Sequence, residues 1–130
     1  MLTDVEYTKV KHTFDYVHSI FKHSSDPVFF EQHEYWEDPK FIVQQLETGE
    51  VFGNAKIFAL VCRYILSKAK VPNRIVMCLT ENGETHLVCE AEGWILDNRQ
   101  TRLRTWGALP YKWIKISGYQ LGEPWHEIAV

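Results

Sequence analysis

The sequence lacks the features that would suit a nucleic-acid or membrane partner. Its 130 residues carry a formal net charge of -3, so there is no basic excess to bind phosphate groups. Its longest apolar run is well short of the roughly 20 residues that a membrane-spanning helix needs. The first residues, Met1 to Asp4, do not resemble a signal peptide. We therefore expect a cytoplasmic protein that binds neither nucleic acid nor membrane.

Cysteine is also scarce, and its pattern argues against disulfides and zinc. Cys62, Cys78 and Cys89 are odd in number, lie in apolar segments and lack paired metal-ligand spacing. They are predicted to be buried, reduced thiols. The histidines near the N-terminus, at positions 12, 18 and 23, are not three or four residues apart, as metal ligands on a helix would be. No metal or other cofactor is predicted.

An apolar content of 45% suits one domain, residues 1–130, and the first half of the chain has helical periodicity. Apolar residues at helical spacing predict a first helix from Thr3 to His23, with Thr3 or Asp4 as N-cap. A short second helix is predicted to begin at Pro39 with Asp38 as its cap. Its predicted buried residues are Phe41, Ile42 and Leu46. The most apolar segment predicts a third helix from Asn54 to Lys70, buried on more than one side and ended by Pro72.

Beyond Pro72 the pattern changes to short strands joined by turns. Turns are predicted at Asn82-Gly83 and Glu92-Gly93, a loop at Gly107 to Pro110, and a tail from Gly118. The predicted strands are Arg74–Thr80, Thr85–Ala91, Trp94–Asp97 and Tyr111–Ser117. Helices followed by an antiparallel meander predict an α+β domain with the third helix packed on the sheet.

The hairpin around Glu92-Gly93 brings two residues with chemical potential together. A two-residue turn would place Ala91 opposite Trp94, so that Asp97 is the diagonal neighbour of His86 on one face of the sheet. The carboxylate could then accept the imidazole N–H and orient the ring, as in nucleophilic triads. The alternative is a polar strand pair without catalytic meaning.

A nucleophile for such a pair is expected at the start of the buried third helix. Backbone N–H groups and the helix dipole stabilise a thiolate there and can also bind an oxyanion. The residue at this position is Ala55. Alanine carries no chemistry and is the best helix former, so a purely structural role is the alternative for this residue alone.

Five sequence fragments together resemble the bacterial transglutaminase-like cysteine peptidases, over about Tyr35 to Tyr119. They are Tyr35-Trp36 with Pro39, the segment 53–60 (GNAKIFAL), His86-Leu87-Val88, the segment 93–98 (GWILDN) and the segment 109–115 (LPYKWIK). The resemblance implies a papain-like or transglutaminase-like fold, with His86 as general base and Asp97 as its orienting partner. Ala55 falls where the family has its nucleophilic cysteine. The N-terminal residues 1–30 lie outside the resemblance.

Residues around position 55 depart from the family pattern. The family has glycine, aspartate, cysteine, glutamate and aspartate, where this chain has Gly53, Asn54, Ala55, Lys56 and Ile57. The missing acids predict that no calcium binds there. Ala55 is either an engineered replacement of cysteine or the mark of a natural pseudoenzyme, and the chain as written is inactive.

Two residues beside Ala55 are candidate accessories. Trp36 could donate its indole N–H to an oxyanion, or it could belong to the core. Asn54 is a second oxyanion candidate and most simply the N-cap. The resemblance implies a protein or peptide substrate with an amide or isopeptide bond, cleaved by hydrolysis or used for acyl transfer or deamidation. A compact cytoplasmic protein of bacterial or phage origin would fit, and the oligomeric state is open.

Overall fold

The computed structural model describes residues 2–23, 39–119 and 123–128. The helices are α1 (Asp4–Ile20), α2 (Pro39–Glu47) and α3 (Ala55–Lys68), and a short 3₁₀ turn covers Trp106–Ala108. The strands are β1 (Phe21–His23), β2 (Val51–Gly53), β3 (Arg74–Leu79), β4 (Thr85–Ala91), β5 (Trp94–Leu96), β6 (Arg104–Thr105), β7 (Lys112–Ile116) and β8 (His126–Glu127).

Helix α1 begins with a capping box at Thr3. The Thr3 hydroxyl accepts the Glu6 N–H at 3.1 Å, and the Glu6 carboxylate accepts the Thr3 N–H at 3.1 Å. The helix ends at Ile20, earlier than predicted, because Phe21 has an extended backbone (φ -82°, ψ 133°). Phe21–His23 instead forms β1, which pairs in parallel with β2. The Phe21 ring packs edge-on against Phe58 of α3. The apolar spacing at Phe21 therefore results from packing on the core and does not indicate helical backbone.

Helix α2 begins at Pro39, as predicted, and its Ile42 is buried while Leu46 is half-buried. The predicted cap Asp38 and the side chain of Phe41 lie outside the described residues. Helix α3 covers most of its predicted range and ends two residues early, at Lys68. Lys70 has a left-handed backbone, φ 62°, which cannot continue a right-handed helix. Helix α1 covers one side of α3 through the Phe14–Phe58 contact, and the sheet covers another.

The six-stranded sheet has the order β6-β5-β4-β3-β7-β8, and all its neighbouring strands are antiparallel. Strand β4 has its predicted bounds, while β3, β5 and β7 are one or two residues shorter than predicted. The turn between β4 and β5 has positive φ at Glu92 (50°) and Gly93 (90°), as a two-residue hairpin turn requires. Two short edge strands, β6 and β8, were not predicted. The predicted α+β class is confirmed.

The sheet separates two hydrophobic clusters. Because side chains alternate along a strand, β4 presents Leu87, Cys89 and Ala91 to the helices. Its other face belongs to the second cluster, which contains Val76, Cys78, Val88, Ile95, Leu109 and Tyr111. All three cysteines are buried and free, as predicted. Within the described ranges, each helix is too short or too polar to cross a membrane.

Candidate functional site

His86 and Asp97 are in direct contact on neighbouring segments of the sheet. His86 is the second residue of β4 and lies opposite Cys78 of β3. Asp97 follows the last residue of β5, in a register that pairs Ala91 with Trp94 and Cys89 with Leu96. The Nε2 atom of His86 lies 2.7 Å from Oδ1 of Asp97, and both side chains are buried. The diagonal pairing predicted from the hairpin is present.

Asp97 accepts hydrogen bonds on both carboxylate oxygens. Besides His86, the Arg99 N–H donates to Oδ1 at 2.9 Å, and the Tyr111 hydroxyl donates to Oδ2 at 2.5 Å. Burial by itself raises the pKa of Asp97, but the hydrogen bonds from His86, Tyr111 and Arg99 together outweigh it and hold the pKa below its ordinary value. An ionised carboxylate only accepts, so Nε2 of His86 carries the proton of this hydrogen bond. In the neutral form of an imidazole with its proton on Nε2, the Nδ1 lone pair can accept a proton.

Further side chains contact the pair or its neighbours. The Tyr111 ring meets the His86 ring edge-on, with centroids 5.6 Å apart, and the Arg99 guanidinium lies 5.4 Å from the Tyr111 centroid. Arg99 in turn forms an ion pair with Glu81 in the turn between β3 and β4. Gln100 donates to the Tyr111 hydroxyl at 3.3 Å. No role was predicted for these residues from the sequence, although Tyr111 lies in one of the five resembling fragments.

Ala55 is the first residue of α3 and is half-buried. Before it, Asn54 caps the helix: its Oδ1 accepts the N–H of Lys56 at 3.0 Å and of Ile57 at 3.4 Å. This cap does not use the N–H of Ala55. Gly53 lies so close to α3 that a Cβ atom there would be about 2.5 Å from Ile57, so the approach to the helix requires glycine.

The start of α3 and the start of β4 lie toward the same end of the sheet. Helix α3 leads through a short connection into β3. In that connection the Asn73 side-chain amide donates a hydrogen bond to the Ser67 hydroxyl of the helix at 3.2 Å. A helix of 14 residues spans about 21 Å, and a six-residue strand about 20 Å. A strand that returns along the helix therefore ends near the level at which the helix began, and β4 starts from that level.

His86 alternates with Val88, however, onto the face of the sheet away from α3. Its ring lies near the start of β4, one residue after the turn that joins β3 to β4. The His86–Asp97 pair therefore lies near the end of the sheet at which α3 begins, and His86 is on the face away from the helix. The shared core between α3 and β4 lies elsewhere, at Cys89 and Ala91.

Of the five tryptophans, four lie in the described parts of the chain. Trp36, the indole candidate for oxyanion binding, lies outside the described residues. Trp94 is half-buried against the helix-side cluster, Trp106 and Trp113 pack edge-on in the second cluster, and Trp125 is 44% exposed.

In the parts of the chain that the structure describes, no group of three or more His, Cys, Asp or Glu side chains is placed to hold a metal ion.

No protein-family model matches the chain, and no curated protein matches it significantly. Solved structures of LapG from Legionella pneumophila do match. The EGTA-treated form is 18% identical with a TM-score of 0.72, and the match covers 95% of this chain and 68% of that one. A second LapG structure is 19% identical with a TM-score of 0.65, over 85% and 62%. The calcium-bound form is 21% identical with a TM-score of 0.65, over 91% and 68%.

The residues around Ala55 do not fit a calcium ion of the kind that one of these LapG structures binds. Calcium requires several oxygen ligands, usually carboxylates. Here the Asn54 oxygen is used by the helix cap, Lys56 brings a positive charge, and Ile57 is apolar and buried. The donor set beside Ala55 therefore lacks the acids that calcium needs.

The likeness to LapG concerns the fold. At 18 to 21% identity the sequences have diverged widely, and the matches span 62 to 68% of the length of the LapG chains. The shared features are helices packed on a six-stranded antiparallel sheet over nearly the whole of this chain. The chain has the transglutaminase-like α+β fold.

Proposed function

We propose that the parent form of this protein, with a thiol at position 55, is a cysteine hydrolase that cleaves an amide, peptide or isopeptide bond of a protein or peptide substrate. The observation that carries the proposal is the buried 2.7 Å contact between His86 and Asp97 in a chain with the fold of LapG. The resemblance of five sequence fragments to transglutaminase-like cysteine peptidases supports the same reaction class.

In the proposed reaction, His86 moves a proton twice. Its Nδ1 takes the proton of the thiol at position 55, and the thiolate sulfur bonds to the scissile carbonyl carbon. The imidazolium then gives this proton to the leaving amine as the carbon–nitrogen bond breaks, which produces a thioester. Water attacks the thioester with His86 as base, and the thiol leaves with its proton restored. Asp97 stays ionised throughout and orients the ring.

The oxyanion of each tetrahedral intermediate needs hydrogen-bond donors near position 55. The N–H of residue 55 is the first candidate, since the Asn54 cap binds the two N–H groups that follow it. The Trp36 indole is proposed as a second donor. The Asn54 side-chain oxygen accepts the hydrogen bonds of the helix cap. A hydrogen bond from Asn54 to the oxyanion would come from its Nδ2 group.

The chain as written has no nucleophile for this reaction. Burial raises the pKa of Cys78 to about 12, and it raises the pKa values of Cys62 and Cys89 as well. Cys62 lies two turns along α3 from Ala55, roughly 10 Å away. Cys89 faces the helix-side cluster, on the opposite face of β4 from His86. We propose that Ala55 is an engineered replacement of cysteine.

The test is the Ala55→Cys variant, labelled with iodoacetamide at neutral pH and followed by intact mass. We expect one rapidly alkylated thiol above the background of the unchanged chain, because its three thiols are buried and protonated. The matched control is Ala108→Cys, an exposed position in the 3₁₀ turn, which supplies an ordinary surface thiol.

Activation by His86 is measured by the difference between these variants. Ala55→Cys should react at least about tenfold faster than Ala108→Cys near neutral pH. Adding His86→Ala should remove the advantage of position 55 and leave position 108 unchanged. Equal rates at the two positions, or rates that do not depend on His86, would refute the proposed nucleophile.

A binding module without catalysis is the second candidate, and Ala55 itself is the observation that favours it. A protein that had abandoned catalysis could keep the fold as a surface for a protein partner. The natural coding sequence decides between the two: a cysteine codon at position 55 refutes the binding module. If the restored thiol forms a thioester, product masses separate hydrolysis from acyl transfer and deamidation.

A further inference from the structure

Tyr111 touches both members of the His86–Asp97 pair. It immediately precedes β7 and is 8% exposed. Its hydroxyl donates to Oδ2 of Asp97 at 2.5 Å, and its ring meets the His86 ring at 73° with centroids 5.6 Å apart. One side chain therefore contacts the carboxylate through its polar end and the imidazole through its apolar surface.

The direction of the hydrogen bonds at Tyr111 is fixed by its neighbours. An ionised Asp97 only accepts, so the hydroxyl proton points to the carboxylate. The Gln100 side chain donates to the hydroxyl oxygen from the other side at 3.3 Å. Burial and the hydrogen bond to Asp97 raise the pKa of Tyr111 to about 12, which keeps the hydroxyl protonated at neutral pH.

The two oxygens of Asp97 are consequently held by different donors. Oδ1 accepts from His86 and from the Arg99 N–H, while Oδ2 accepts from Tyr111. Without the tyrosine hydroxyl, Oδ2 would lose this donor, and the carboxylate would be freer to rotate about its Cβ–Cγ bond. Without the tyrosine ring, the imidazole would lose the surface that limits its own rotation.

We infer that Tyr111 is a positioning residue that acts through both partners at once, holding His86 in the Nε2–H tautomer by fixing the Asp97 carboxylate and packing against the imidazole ring. The positioning rests on contacts of the chain as it stands. Its consequence for a thiol at position 55 rests on the proposed function.

Nitrogen-15 NMR of the histidine side chains tests the positioning in the Ala55 protein itself. Spectra at a pH where the imidazoles are neutral should show His86 as the Nε2–H tautomer, with its signals assigned by their loss in His86→Ala. Tyr111→Phe keeps the ring and removes the hydroxyl, so it should shift His86 toward a mixture of tautomers. Tyr111→Leu removes both contacts and should shift it further.

The control is Tyr7→Phe, which removes a hydroxyl from a ring packed on Trp94. This variant should leave the His86 signals as they are in the unchanged chain. Backbone spectra establish that each variant is folded, and Tyr111→Phe decides alone if Tyr111→Leu does not fold. His86 signals that are identical in the unchanged chain and in folded Tyr111→Phe would overturn the inference.

Thiol labelling separates this inference from the proposed function. In the Ala55→Cys background, Tyr111→Phe should slow alkylation about tenfold, the loss expected when a hydrogen bond to an ionised group is removed. If Ala55→Cys is unreactive while Tyr111→Phe still changes the His86 tautomer, the proposed chemistry fails and the role of Tyr111 stands. If Ala55→Cys is reactive and the tautomer is unchanged by Tyr111→Phe, the reverse holds.

Discussion

Asp97 is fully buried and ionised, which makes it sensitive to its hydrogen-bond donors. A buried carboxylate is tolerated only where several donors replace its hydration. Here one backbone N–H, one hydroxyl and one imidazole supply those donors. The same three contacts that would orient a catalytic base thus also contribute to the stability of the fold.

Replacement of this carboxylate should change how stability depends on pH. Because the pKa of Asp97 is lowered by folding, its contribution is fully present above the unfolded pKa of about 3.9 and is lost as pH falls through the folded value. Asp97→Asn should lower the free energy of unfolding by about 2 kcal/mol at pH 7. The deficit should shrink as the pH is lowered below 4, as measured by urea unfolding at several pH values.

Asp15→Asn serves as the control for this measurement. Asp15 pairs with Lys11 on the exposed face of α1, so its replacement should have little effect at any pH. A deficit for Asp97→Asn that is the same at pH 7 and at pH 3 would contradict the assignment of the ionised state to Asp97.

Sequence alone could predict the His86–Asp97 contact but not Tyr111. The contact follows from the two-residue turn at Glu92-Gly93, which fixes the register of β4 and β5 and thereby the diagonal neighbours. Tyr111 lies 14 residues after Asp97, beyond a segment that contains the short strand β6 and the 3₁₀ turn. Its place beside Asp97 depends on how β7 pairs with β3 on the other side of β4, which local patterns do not determine.

At the scale of elements, the junction of β2 and α3 positions the start of the central helix. Gly53 pairs with His23 of β1, and Asn54 then caps α3. Because Gly53 lies against the Ile57 side chain, the strand and the helix are joined without room for a Cβ atom. The start of α3 is therefore fixed by the pairing of β2 with β1 before it and by the Asn54 cap at its first turn.

Gly53→Ala should therefore destabilise the protein. The added methyl group would lie 2.5 to 2.6 Å from two carbon atoms of Ile57, and one of them is the Cβ, which cannot move without the helix backbone. Overpacking of this kind costs about 1 to 3 kcal/mol. Urea unfolding measures the loss, with Gly107→Ala as the control because a Cβ there meets open space. Equal stability of the two variants would show that α3 can shift to accept the methyl group.

Elements with turn chemistry at both ends were predicted best. Strand β4 has its predicted bounds because Asn82-Gly83 precedes it and Glu92-Gly93 follows it. The end of α1 was misplaced because Phe21 keeps the helical spacing of apolar residues while it packs on Phe58 from a strand. Strands β6 and β8 have two residues each, so only their pairing with β5 and β7 defines them.

At the scale of the whole molecule, the comparison with LapG shows a common fold. Structures of LapG exist in a calcium-bound and an EGTA-treated form. In this chain the neighbours of Ala55 are a capping amide, a lysine and a buried isoleucine. These neighbours lack the oxygen ligands that calcium binding requires.

Thermal unfolding of the whole chain tests whether calcium contributes to its stability. A ligand that binds only the folded state raises Tm with its concentration, so calcium binding would appear as a rising series. Because the residues beside Ala55 do not supply the necessary oxygen ligands, we expect Tm in millimolar calcium and in EGTA to agree within about 1 °C. Sodium chloride at matched ionic strength controls for screening. A calcium-dependent rise that magnesium does not reproduce would contradict this expectation, because screening cannot distinguish two divalent cations at equal concentration.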